Sequence, residues 1–570
     1  MHRLPIPLLA LALVACHRAP APAPATVPTP QALAAHSAEF EPGVVEVTDD
    51  VYVAIGYGIA NSIWLDGSDG AIVVDTTESL ETARKVLAAF RKFSDKPVKA
   101  IIYTHSHPDH VGGAAAFVPS GAPVPVYAQE DVARDMDETA ADLQAVITRR
   151  SLRMYGTALP PGERVNLGIG GFLDLHPGST IGTLRPTRTF RDRLEDTVAG
   201  IRFELVHAPG ETQDQSFVWL PERKVLLCGD DFYKAFPNLY TIRGTRYRDP
   251  RQWVASLDRM RALHADYLVP SHTRPLTGAA AIDQALTDYR DAIDYVYDQT
   301  VRMMNKGWLP DEIAARIRLP PHLAASPYLQ AFYGKASWSA KAIFDGTLGW
   351  YSGDPVDLQP LAPTDEARHM VVLAGGAQAL DVKAEDADKA GEHQWALQLS
   401  GYALRADPGD ARAKRVRIAA LRALGAAETN PPARDWYFMA ARELAGDFKL
   451  PARLVEPTPE MLAQIPLPVF FEGMSVNLHA EDCLDKLIRV GFEFTDSGER
   501  YTYIVRRGAT ELDPGIADDV DLWVRVPSLR FKELLATQRN PALAIARDFE
   551  VVRGNKLEFA RFMALFTPQA

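Results

Sequence analysis

Three imidazoles and one carboxylate fall within residues 105–110, which read His-Ser-His-Pro-Asp-His. Imidazole and carboxylate are the usual protein ligands of zinc-class metals. The segment follows the apolar run 100–103, which is typical of a short buried strand. Residues two apart on extended backbone point to the same side, so His105 and His107 can bind one ion. The segment therefore predicts a metal centre at the end of a buried strand.

Pro108 interrupts the extended backbone directly after these histidines. We expect a helix to begin there and to run through residues 111–114, with Asp109 and His110 near its start. These two side chains would turn toward a second position, as in a two-metal site with ions about 3.5–4 Å apart. The simpler alternative is a polar turn that happens to be rich in histidine, and the density of ligand types argues against it.

The spacing His105-x-His107-x-Asp109-His110, followed by two glycines, resembles the metallo-β-lactamase signature. The resemblance implies an α/β fold: an αββα sandwich with the metals at one edge, between the two sheets. It also implies more ligands downstream. Glu211 follows Pro-Gly, where most of that superfamily has histidine and the alkylsulfatases resemble this chain in having glutamate.

Two apolar runs supply the remaining candidates. Asp230 ends the first run, where the resemblance implies a carboxylate that bridges the two metals, and its neighbour Asp231 is the alternative for that role. His272 ends the second run and matches the last ligand. Asp75 ends a third apolar run and is predicted to orient a histidine ligand, the alternative being a turn-forming role.

The resemblance implies two zinc ions per chain. One ion would be held by His105, His107 and Glu211, and the other by Asp109, His110 and His272, with Asp230 between them. Such a set leaves room for water, as a catalytic zinc site requires. Zinc lowers the pKa of bound water from about 16 to about 7, so hydroxide would be available at neutral pH. Asp109 and Asp230 are the predicted catalytic carboxylates.

A second motif narrows the substrate. Residues 236–249 are similar to the Asn-Leu-Tyr-Thr-x-Arg-Gly segment that lines the sulfate pocket of zinc alkylsulfatases. By position, the resemblance implies sulfate contacts from Asn238, Thr241, Arg243 and Arg248. The planar guanidinium group suits an oxyanion. Three arginines within six residues of a chain with net charge −12 argue for an anion, and a solvated surface loop is the alternative.

The similarity continues beyond the site. Residues 295–307, 319–321, 333–334 and 348–350 resemble the dimerisation domain of the alkylsulfatases, which implies a homodimer. One position departs from the family. Where alkylsulfatases carry Ser-His-Asn after Tyr-Gly, this chain has Ser-Trp-Ser, and Trp338 cannot donate a proton on demand. Trp338 is instead predicted to line an apolar or aromatic part of the substrate pocket, as in a divergent member of the family.

Five segments are predicted. They are a lipoprotein signal peptide (1–16), an Ala/Pro-rich linker (17–37), the catalytic domain (38–290), a helical dimerisation domain (291–447) and an α+β domain (452–570). The last contains a hairpin signature at residues 492–505 and resembles the sterol-carrier-protein-like domain of alkylsulfatases. That resemblance implies a surface for the alkyl chain, and a plain structural domain is the alternative.

The first residues predict export. A short apolar core over residues 4–14 ends in Leu-Val-Ala-Cys, which matches a bacterial lipobox with Cys16 as the lipidated residue. The prediction is a periplasmic or outer-membrane lipoprotein that meets the membrane only through this anchor. An ordinary secretory signal is the alternative. No later stretch reaches the roughly 20 apolar residues that cross a bilayer.

Composition excludes two further classes. A net charge of −12 provides no basic footprint for nucleic acid. Besides Cys16, only Cys228 and Cys483 occur, far apart in sequence, so a disulfide-stapled scaffold is not expected.

The predicted function is hydrolysis of an amphiphilic alkyl sulfate ester to alcohol and inorganic sulfate by metal-bound hydroxide. Two alternatives stay open: a hydrolase of the same fold that acts on carboxylic esters, lactones or phosphate esters, and a non-enzymatic lipoprotein that binds lipid-like ligands through residues 452–570.

Overall fold

The computed structural model describes residues 29–118, 123–449, 451 and 454–566. The predicted signal peptide, the lipidated Cys16 and linker residues 17–28 lie outside the described residues. Among those described, no helix combines the length and apolar character needed to cross a membrane.

The first half of the chain alternates strands and helices. Its strands are β1 (Gly43–Thr48), β2 (Val51–Ile55), β3 (Ser62–Asp66), β4 (Ala71–Val74), β5 (Val98–Ile102), β6 (Val126–Gln129), β7 (Ser179–Ile181), β8 (Arg188–Phe190), β9 (Arg193–Val198), β10 (Ile201–His207), β11 (Ser216–Leu220), β12 (Val225–Gly229), β13 (Tyr267–Pro270) and β14 (Leu276–Thr277). Its helices are α1 (Gln31–His36), α2 (Leu80–Phe90), α3 (Pro108–Val111), α4 (Val132–Glu138), α5 (Gln144–Met154), α6 (Pro250–Arg261) and α7 (Ala279–Met304).

All of these strands except β7 form two sheets that pack face to face. One has the order β1-β2-β3-β4-β5-β6-β8 and the other the order β14-β13-β12-β11-β10-β9. Alternate residues point inward, so Val51 and Val53 of β2 meet Phe203 and Leu205 of β10 in one shared core. The adjacent pairing of β2 with β3 agrees with the strand pair expected from the sequence.

Helices cover the outer face of each sheet. The apolar side of α2 packs on the first sheet through Val86 and Phe90. On the second sheet, α6 and α7 contribute Trp253, Leu257 and Leu286. This is the αββα sandwich that the sequence predicts.

Parallel strand pairs place the candidate ligands at one edge. Strands β4 and β5 are parallel, and so are β12 and β13. The carboxyl ends of parallel neighbours lie at the same edge, so Asp75 emerges beside Thr104 in one sheet and Asp230 beside Ser271 in the other.

Helix α3 is shorter than predicted. It ends at Val111, and Gly112 and Gly113 follow before a 3-10 turn at residues 114–116. Both glycines lie against the backbone of residues 76–79, at positions where a Cβ would collide with Thr76 or Glu78. Close packing and the low helix propensity of glycine therefore end the helix early.

The middle of the chain is helical. It contains α8 (Pro310–Arg316), α9 (Pro321–Ala324), α10 (Ala336–Leu348), α11 (Pro363–Ala374), α12 (Ala377–Lys389), α13 (His393–Ala406), α14 (Ala411–Ala427) and α15 (Pro431–Ala445). Helices α12 to α14 share a core of alanine and leucine side chains.

The last part is an α+β domain. Its elements are β15 (Val455–Pro457), α16 (Pro459–Gln464), α17 (Leu467–Ser475), β16 (Leu487–Phe494), β17 (Arg500–Arg506), β18 (Ala509–Pro514), β19 (Leu522–Val526), α18 (Ser528–Leu535), α19 (Pro541–Arg547), β20 (Glu550–Arg553) and α20 (Lys556–Ala564). A five-stranded sheet in the order β18-β17-β16-β19-β20 packs against the helices around an aromatic core. The expected hairpin is β16–β17. Cys228 and Cys483 are buried free thiols in separate cores.

Candidate active site

One group of candidate ligands combines the first two histidines with Asp230. His105, His107 and Asp230 each offer a donor atom within 4.8 Å of the others. Nε2 of His105 lies 2.9 Å from Nδ1 of His107 and 3.7 Å from Oδ2 of Asp230. The loop after β5 and the loop after β12 thus meet at one position, although their residues are far apart in sequence.

The second group consists of Asp109, His110 and His272. Nε2 of His110 lies 3.4 Å from Oδ2 of Asp109, and Nε2 of His272 lies 3.7 Å from the same oxygen. Asp230 also reaches this group, because its Oδ2 is 3.1 Å from Nε2 of His272 and 3.4 Å from Nε2 of His110. The position of Asp230 between the groups is the one expected of a bridging carboxylate.

Asp231 points elsewhere. Its Oδ1 accepts a hydrogen bond of 3.1 Å from the backbone N–H of Glu211, and its backbone carbonyl accepts one from the Trp253 indole. Burial raises the pKa of the Asp231 carboxyl well above its ordinary value, with added repulsion from Glu211 and Asp230. The structure therefore places Asp230, and not its neighbour, among the histidines.

Asp75 lies behind the ligands. Its Oδ2 is 2.8 Å from Nδ1 of His110 and also accepts hydrogen bonds from the hydroxyls of Thr104 and Ser271. Its Oδ1 accepts the backbone N–H of Thr104. Nδ1 of His272 lies 2.9 Å from the carbonyl of Ile59. Such partners fix the ring orientation of a histidine, so that the opposite nitrogen is free for a ligand.

Burial and neighbouring charges shift the pKa values of the histidines in opposite directions. Burial, with the charge of His110, lowers the pKa of His105 to about 3, and burial also lowers the pKa of His107 well below its ordinary value. Burial acts in the same direction at His110, but Asp230, Asp109 and Asp75 outweigh it and raise the His110 pKa well above its ordinary value. A cation binds imidazole in its neutral form, which the lowered pKa favours at His105 and His107 and the raised pKa opposes at His110.

Two buried atoms support metal binding. Nε2 of His110 and Oδ1 of Asp230 are buried, and neither has a hydrogen-bond partner among the described residues. Buried polar atoms normally find partners, so atoms without one at the meeting point of six candidate ligands indicate a missing group. Nitrogen and carboxylate donors in two such groups fit zinc-class cations.

Glu211 lies beside these groups, with its carboxylate turned to other partners. Nη1 of Arg248 lies 2.9 Å from Oε1 of Glu211, and the Tyr233 hydroxyl donates to Oε2 at 3.3 Å. Asp230 takes the third place beside His105 and His107. The assignment of Glu211 as a ligand stays a prediction.

The arginine loop, residues 236–249, reaches the first ligand group through Arg243. Nη2 of Arg243 lies 3.1 Å from Nε2 of His107. Helix α5 holds the loop, because Arg150 donates to the backbone carbonyls of Ile242 and Arg243 at 2.6 and 2.7 Å. The Thr241 hydroxyl donates to the sulfur of Met154 at 3.2 Å.

Two loop residues have unused hydrogen-bonding atoms. Both side-chain polar atoms of Asn238, and Nε and Nη2 of Arg248, are buried without a hydrogen-bond partner in the part of the chain that the structure describes. Nη1 of Arg248 is occupied by the carbonyl of Asn238 at 2.6 Å and by Glu211. A buried guanidinium group with two free donors beside a free amide is suited to an oxyanion.

Sequence reasoning missed three tyrosines. The hydroxyls of Tyr155 and Tyr333 lie 3.1 Å apart, and both side chains are close enough to Arg243 and Glu211 to feel their charges. The Tyr233 hydroxyl accepts the backbone N–H of Asn238 and so joins the arginine loop to Glu211. Tyr233 lies three residues after Asp230, and this closeness to a candidate ligand could have identified it as a site residue. Tyr155 follows α5, and no motif surrounds it.

Trp338 lies in the first turn of α10 and is half-buried. The ammonium group of Lys335 lies 5.1 Å from the centre of its ring and 2.7 Å from the carboxylate of Glu428. Gly334, just before this pair, packs directly on Pro237 and Asn238 of the arginine loop. Trp338 is therefore near the predicted anion pocket, and its role at the substrate stays a prediction.

Comparisons with known proteins cover almost the whole chain. The model of the metallo-beta-lactamase superfamily matches residues 55–272, that of alkyl sulfatase dimerisation matches residues 309–447, and that of the alkyl sulfatase C-terminal domain matches residues 456–570. A linear primary-alkylsulfatase of Pseudomonas sp. (strain ATCC 19151) is 39% identical over 520 residues, which cover 88% of this chain and 98% of the relative. The chain belongs to the alkylsulfatase family.

Other alkylsulfatases are also similar to this chain over most of its length. An (R)-specific secondary-alkylsulfatase of Pseudomonas sp. is 26% identical, with 92% of this chain and 81% of the relative covered. The solved structure of the stereoselective inverting sec-alkylsulfatase Pisa1 from Pseudomonas sp. superposes with a TM-score of 0.85 at 25% identity, covering 93% of this chain and 85% of that one. The predicted family, the predicted order of three folds and the prediction of a hydrolase of the alkylsulfatase class are confirmed, against the alternative of a non-enzymatic lipoprotein.

Proposed function

We propose that this chain is a binuclear zinc hydrolase that cleaves alkyl sulfate esters to alcohol and inorganic sulfate. The observation that carries the proposal is the pairing of two candidate ligand groups with a buried, unsatisfied oxyanion site beside them. Metal groups alone fit many hydrolases. The guanidinium of Arg248 and the amide of Asn238 add a reason for an anionic ester, as do relatives named as alkylsulfatases.

The binding step uses the arginine loop. The two free donors of Arg248 and the Asn238 amide hold the sulfate oxygens, and Arg243 reaches the anion from the side of His107. Because these groups are buried, their hydrogen bonds to an anion compete with little water. Thr241 completes the predicted set, with its hydroxyl turning from Met154 to the ester.

The metal ligands supply the reactive side of the site. His105, His107 and Glu211 would hold one zinc ion, Asp109, His110 and His272 the other, and Asp230 both. Zinc bound there supplies Lewis acidity and lowers the pKa of a coordinated water to about 7. Asp109 is the more exposed of the two central carboxylates, with 20% of its side chain accessible against 3% for Asp230. The oxygen of Asp109 that is not bound to zinc would accept the proton that the attacking water loses.

The decisive experiment pairs metal quantitation with a substrate panel. The purified full-length protein, loaded with zinc, is assayed on dodecyl sulfate, p-nitrophenyl acetate and bis-p-nitrophenyl phosphate. We expect two zinc ions per chain. We also expect hydrolysis of dodecyl sulfate, with release of inorganic sulfate, and no turnover of the other two esters. Clear turnover of another ester without sulfate release would end the proposal, as would fewer than two bound ions in the active protein.

The proposed assembly is a homodimer. Residues 348–373, which we call the exposed apolar surface, contain seven apolar side chains that are more than half exposed: Leu348, Trp350, Val356, Leu358, Leu361, Val372 and Leu373. Monomeric proteins rarely leave such a concentration of apolar side chains in water. The match of residues 309–447 to the alkyl sulfatase dimerisation model supports a second copy of this chain as the partner.

We also propose export, with acylation of Cys16 after cleavage, from the lipobox sequence alone. Mass spectrometry of the mature N-terminus tests it. An unmodified Met1, or cleavage elsewhere, would contradict the anchor.

A further inference from the structure

Strand β7 connects the C-terminal domain to the sandwich. It pairs in parallel with β15, with Thr180 opposite Glu456 and Ile181 opposite Pro457. Just beyond the ladder, the backbone N–H of Thr458 donates to the carbonyl of Ile181 at 3.0 Å. The first residues of the C-terminal domain are thus hydrogen-bonded to a segment inside the catalytic half of the chain.

Gly182, the residue that follows β7, is hydrogen-bonded to the helix that contains two candidate ligands. Gly182 donates its N–H to the carbonyl of Gly112 at 2.9 Å and accepts the N–H of Ala115 at 2.9 Å. Gly112 is the C-cap of α3, which contains Asp109 and His110. A Cβ at position 182 would lie 2.7 Å from a methyl group of Leu80, so a larger residue would have to displace that side chain.

The same segment also contacts the strand that carries the other histidines. The Tyr103 hydroxyl donates to the carbonyl of Leu184 at 2.9 Å, and Tyr103 precedes Thr104 and His105. One residue later, the N–H of Arg185 donates to Oε1 of Gln464 in α16 at 3.0 Å. Residues 180–185 therefore contact the C-terminal domain on one side and the ligand-bearing loop on the other.

Helix α3 needs such support. It has four residues, and the cost of nucleation makes a helix this short unstable alone. The described contacts that hold its C-terminal end are few. Thr76 donates its N–H and its hydroxyl to the carbonyl of His110 at 2.7 and 2.9 Å, Gly113 donates its N–H to the carbonyl of Thr77 at 3.0 Å, and Gly182 donates to the carbonyl of Gly112.

We propose that the C-terminal domain, through the pairing of β15 with β7, positions α3 and thereby sets how firmly Asp109 and His110 hold their metal ion. The inference rests on the proposed metal site. It assigns residues 454–464 a positioning role, because none of them touches the ligands directly.

A single substitution tests the link. Thr458 has φ −70° and ψ 155° and follows Pro457 in extended strand β15. Proline adopts this φ, and the residue before a proline prefers extended backbone, so Thr458→Pro removes the N–H without strain. Thr458 also caps α16 through its hydroxyl, which accepts the N–H of Met461 at 3.2 Å. Thr458→Ala removes that cap and keeps the N–H, and is the matched control.

Two measurements separate a local link from general loosening. Zinc-loaded full-length variants are mixed with excess chelator, and the release of each ion is followed. We expect Thr458→Pro to release one of its two ions up to about fivefold faster than Thr458→Ala, the factor that a hydrogen bond of ordinary strength represents, with the other ion unchanged. Hydrogen exchange should show lower protection at Gly182 and Ala115 in the proline variant.

Equal release from both variants, or equal acceleration of both ions, would overturn the inference. If the wild-type protein itself binds fewer than two zinc ions, the proposed function fails first. The exchange rate of Ala115 in the metal-free variants then decides whether β15 supports α3.

Discussion

Nδ1 of His110 lies 2.8 Å from Oδ2 of Asp75, and the two residues follow the neighbouring strands β5 and β4 at the same edge of the first sheet, His110 in α3 and Asp75 in a loop. Asp75 has a positive φ of 56°, an uncommon backbone conformation for a residue with a side chain. Four hydrogen bonds reach its carboxylate, from His110, Thr104 and Ser271. The backbone strain is compatible with a carboxylate that must stand in one orientation behind a ligand.

Asp75→Asn should weaken zinc binding with little change in the fold. Asparagine tolerates the same backbone conformation, but its amide cannot accept at both side-chain atoms. Loss of such a partner costs about 10- to 100-fold in metal affinity. Competition with a chromophoric chelator measures it, with exposed Asp69→Asn as the control. Unchanged affinity would show that Asp75 only shapes the turn.

Arg243→Ala should raise KM for alkyl sulfates far more than it changes zinc content. The guanidinium group reaches toward the anion site, and its removal takes away binding and leaves the candidate ligands in place. Arg243→Lys keeps the charge without the planar fork, so its KM should lie between that of the wild type and that of Arg243→Ala. Because Nη2 is close to His107, zinc must be quantified in each variant. Parallel loss of zinc and activity would reassign Arg243 to the metal site.

Glu211→Ala should empty one of the two metal positions. The neighbouring carboxylate provides a contrast, because Asp231→Asn keeps an acceptor for the Glu211 backbone N–H and should retain both ions. Elemental analysis of the two proteins after gel filtration separates the roles. Two tightly held ions in Glu211→Ala would mean that Glu211 serves Arg248 and is not a ligand.

Glu78 should make the metal-free protein less stable as the pH rises. Burial, with repulsion from Asp109 and Asp174, raises its pKa from 4.5 to about 7. The folded state therefore holds this proton more tightly than the unfolded chain. The stabilisation is fully present below about pH 4.5 and is lost as the pH rises through 7.

The side chain in Glu78→Gln stays neutral at every pH. The free energy of unfolding of this variant should exceed that of the wild type at pH 8 by a difference on the order of 3 kcal/mol. At pH 4.5 the two free energies should be about equal. Urea unfolding of both proteins across this range tests the sign. Glu222→Gln, at an exposed position, controls for the loss of one charge. A constant difference between wild type and Glu78→Gln at all pH values would contradict the shifted pKa.

Leu348→Glu should shift the protein from dimer to monomer. Leu348 is 60% exposed within the exposed apolar surface, and a buried charge at an interface is costly. Leu557 in α20 is 61% exposed and lies outside that surface, so Leu557→Glu should stay dimeric. Light scattering at several concentrations measures the mass. Dimers in both variants would place the interface elsewhere.

The sequence could predict the ligand-bearing strands because each combines an apolar run with a polar end, as at Asp75, Asp230 and His272. It named Asp230 and kept Asp231 as the alternative, because adjacent carboxylates look alike in sequence. Only the tertiary contacts separate them, with Asp230 beside His272 and Asp231 bonded to the backbone of Glu211. The sequence could not predict Tyr155 as a site residue, for a different reason. Tyr155 meets Tyr333 from a loop on the other side of the site, and no local pattern signals a contact made only by the tertiary fold.

The extent of α3 also escaped prediction. Its early end depends on how closely Gly112 and Gly113 approach residues 76–79, which is a property of packing and not of local propensity. Family resemblance, in contrast, predicted the order of the three domains well, because it draws on the whole chain.

The pairing of β7 with β15 has a consequence for biosynthesis. The two strands are separated by about half of the chain, so the histidine-bearing loop is synthesised long before its outer support exists. A ribosome must complete about four fifths of the protein before that support can form. Premature termination after β14 and before residue 455 would therefore yield a sandwich whose first-made catalytic loop lacks its latest-made neighbour.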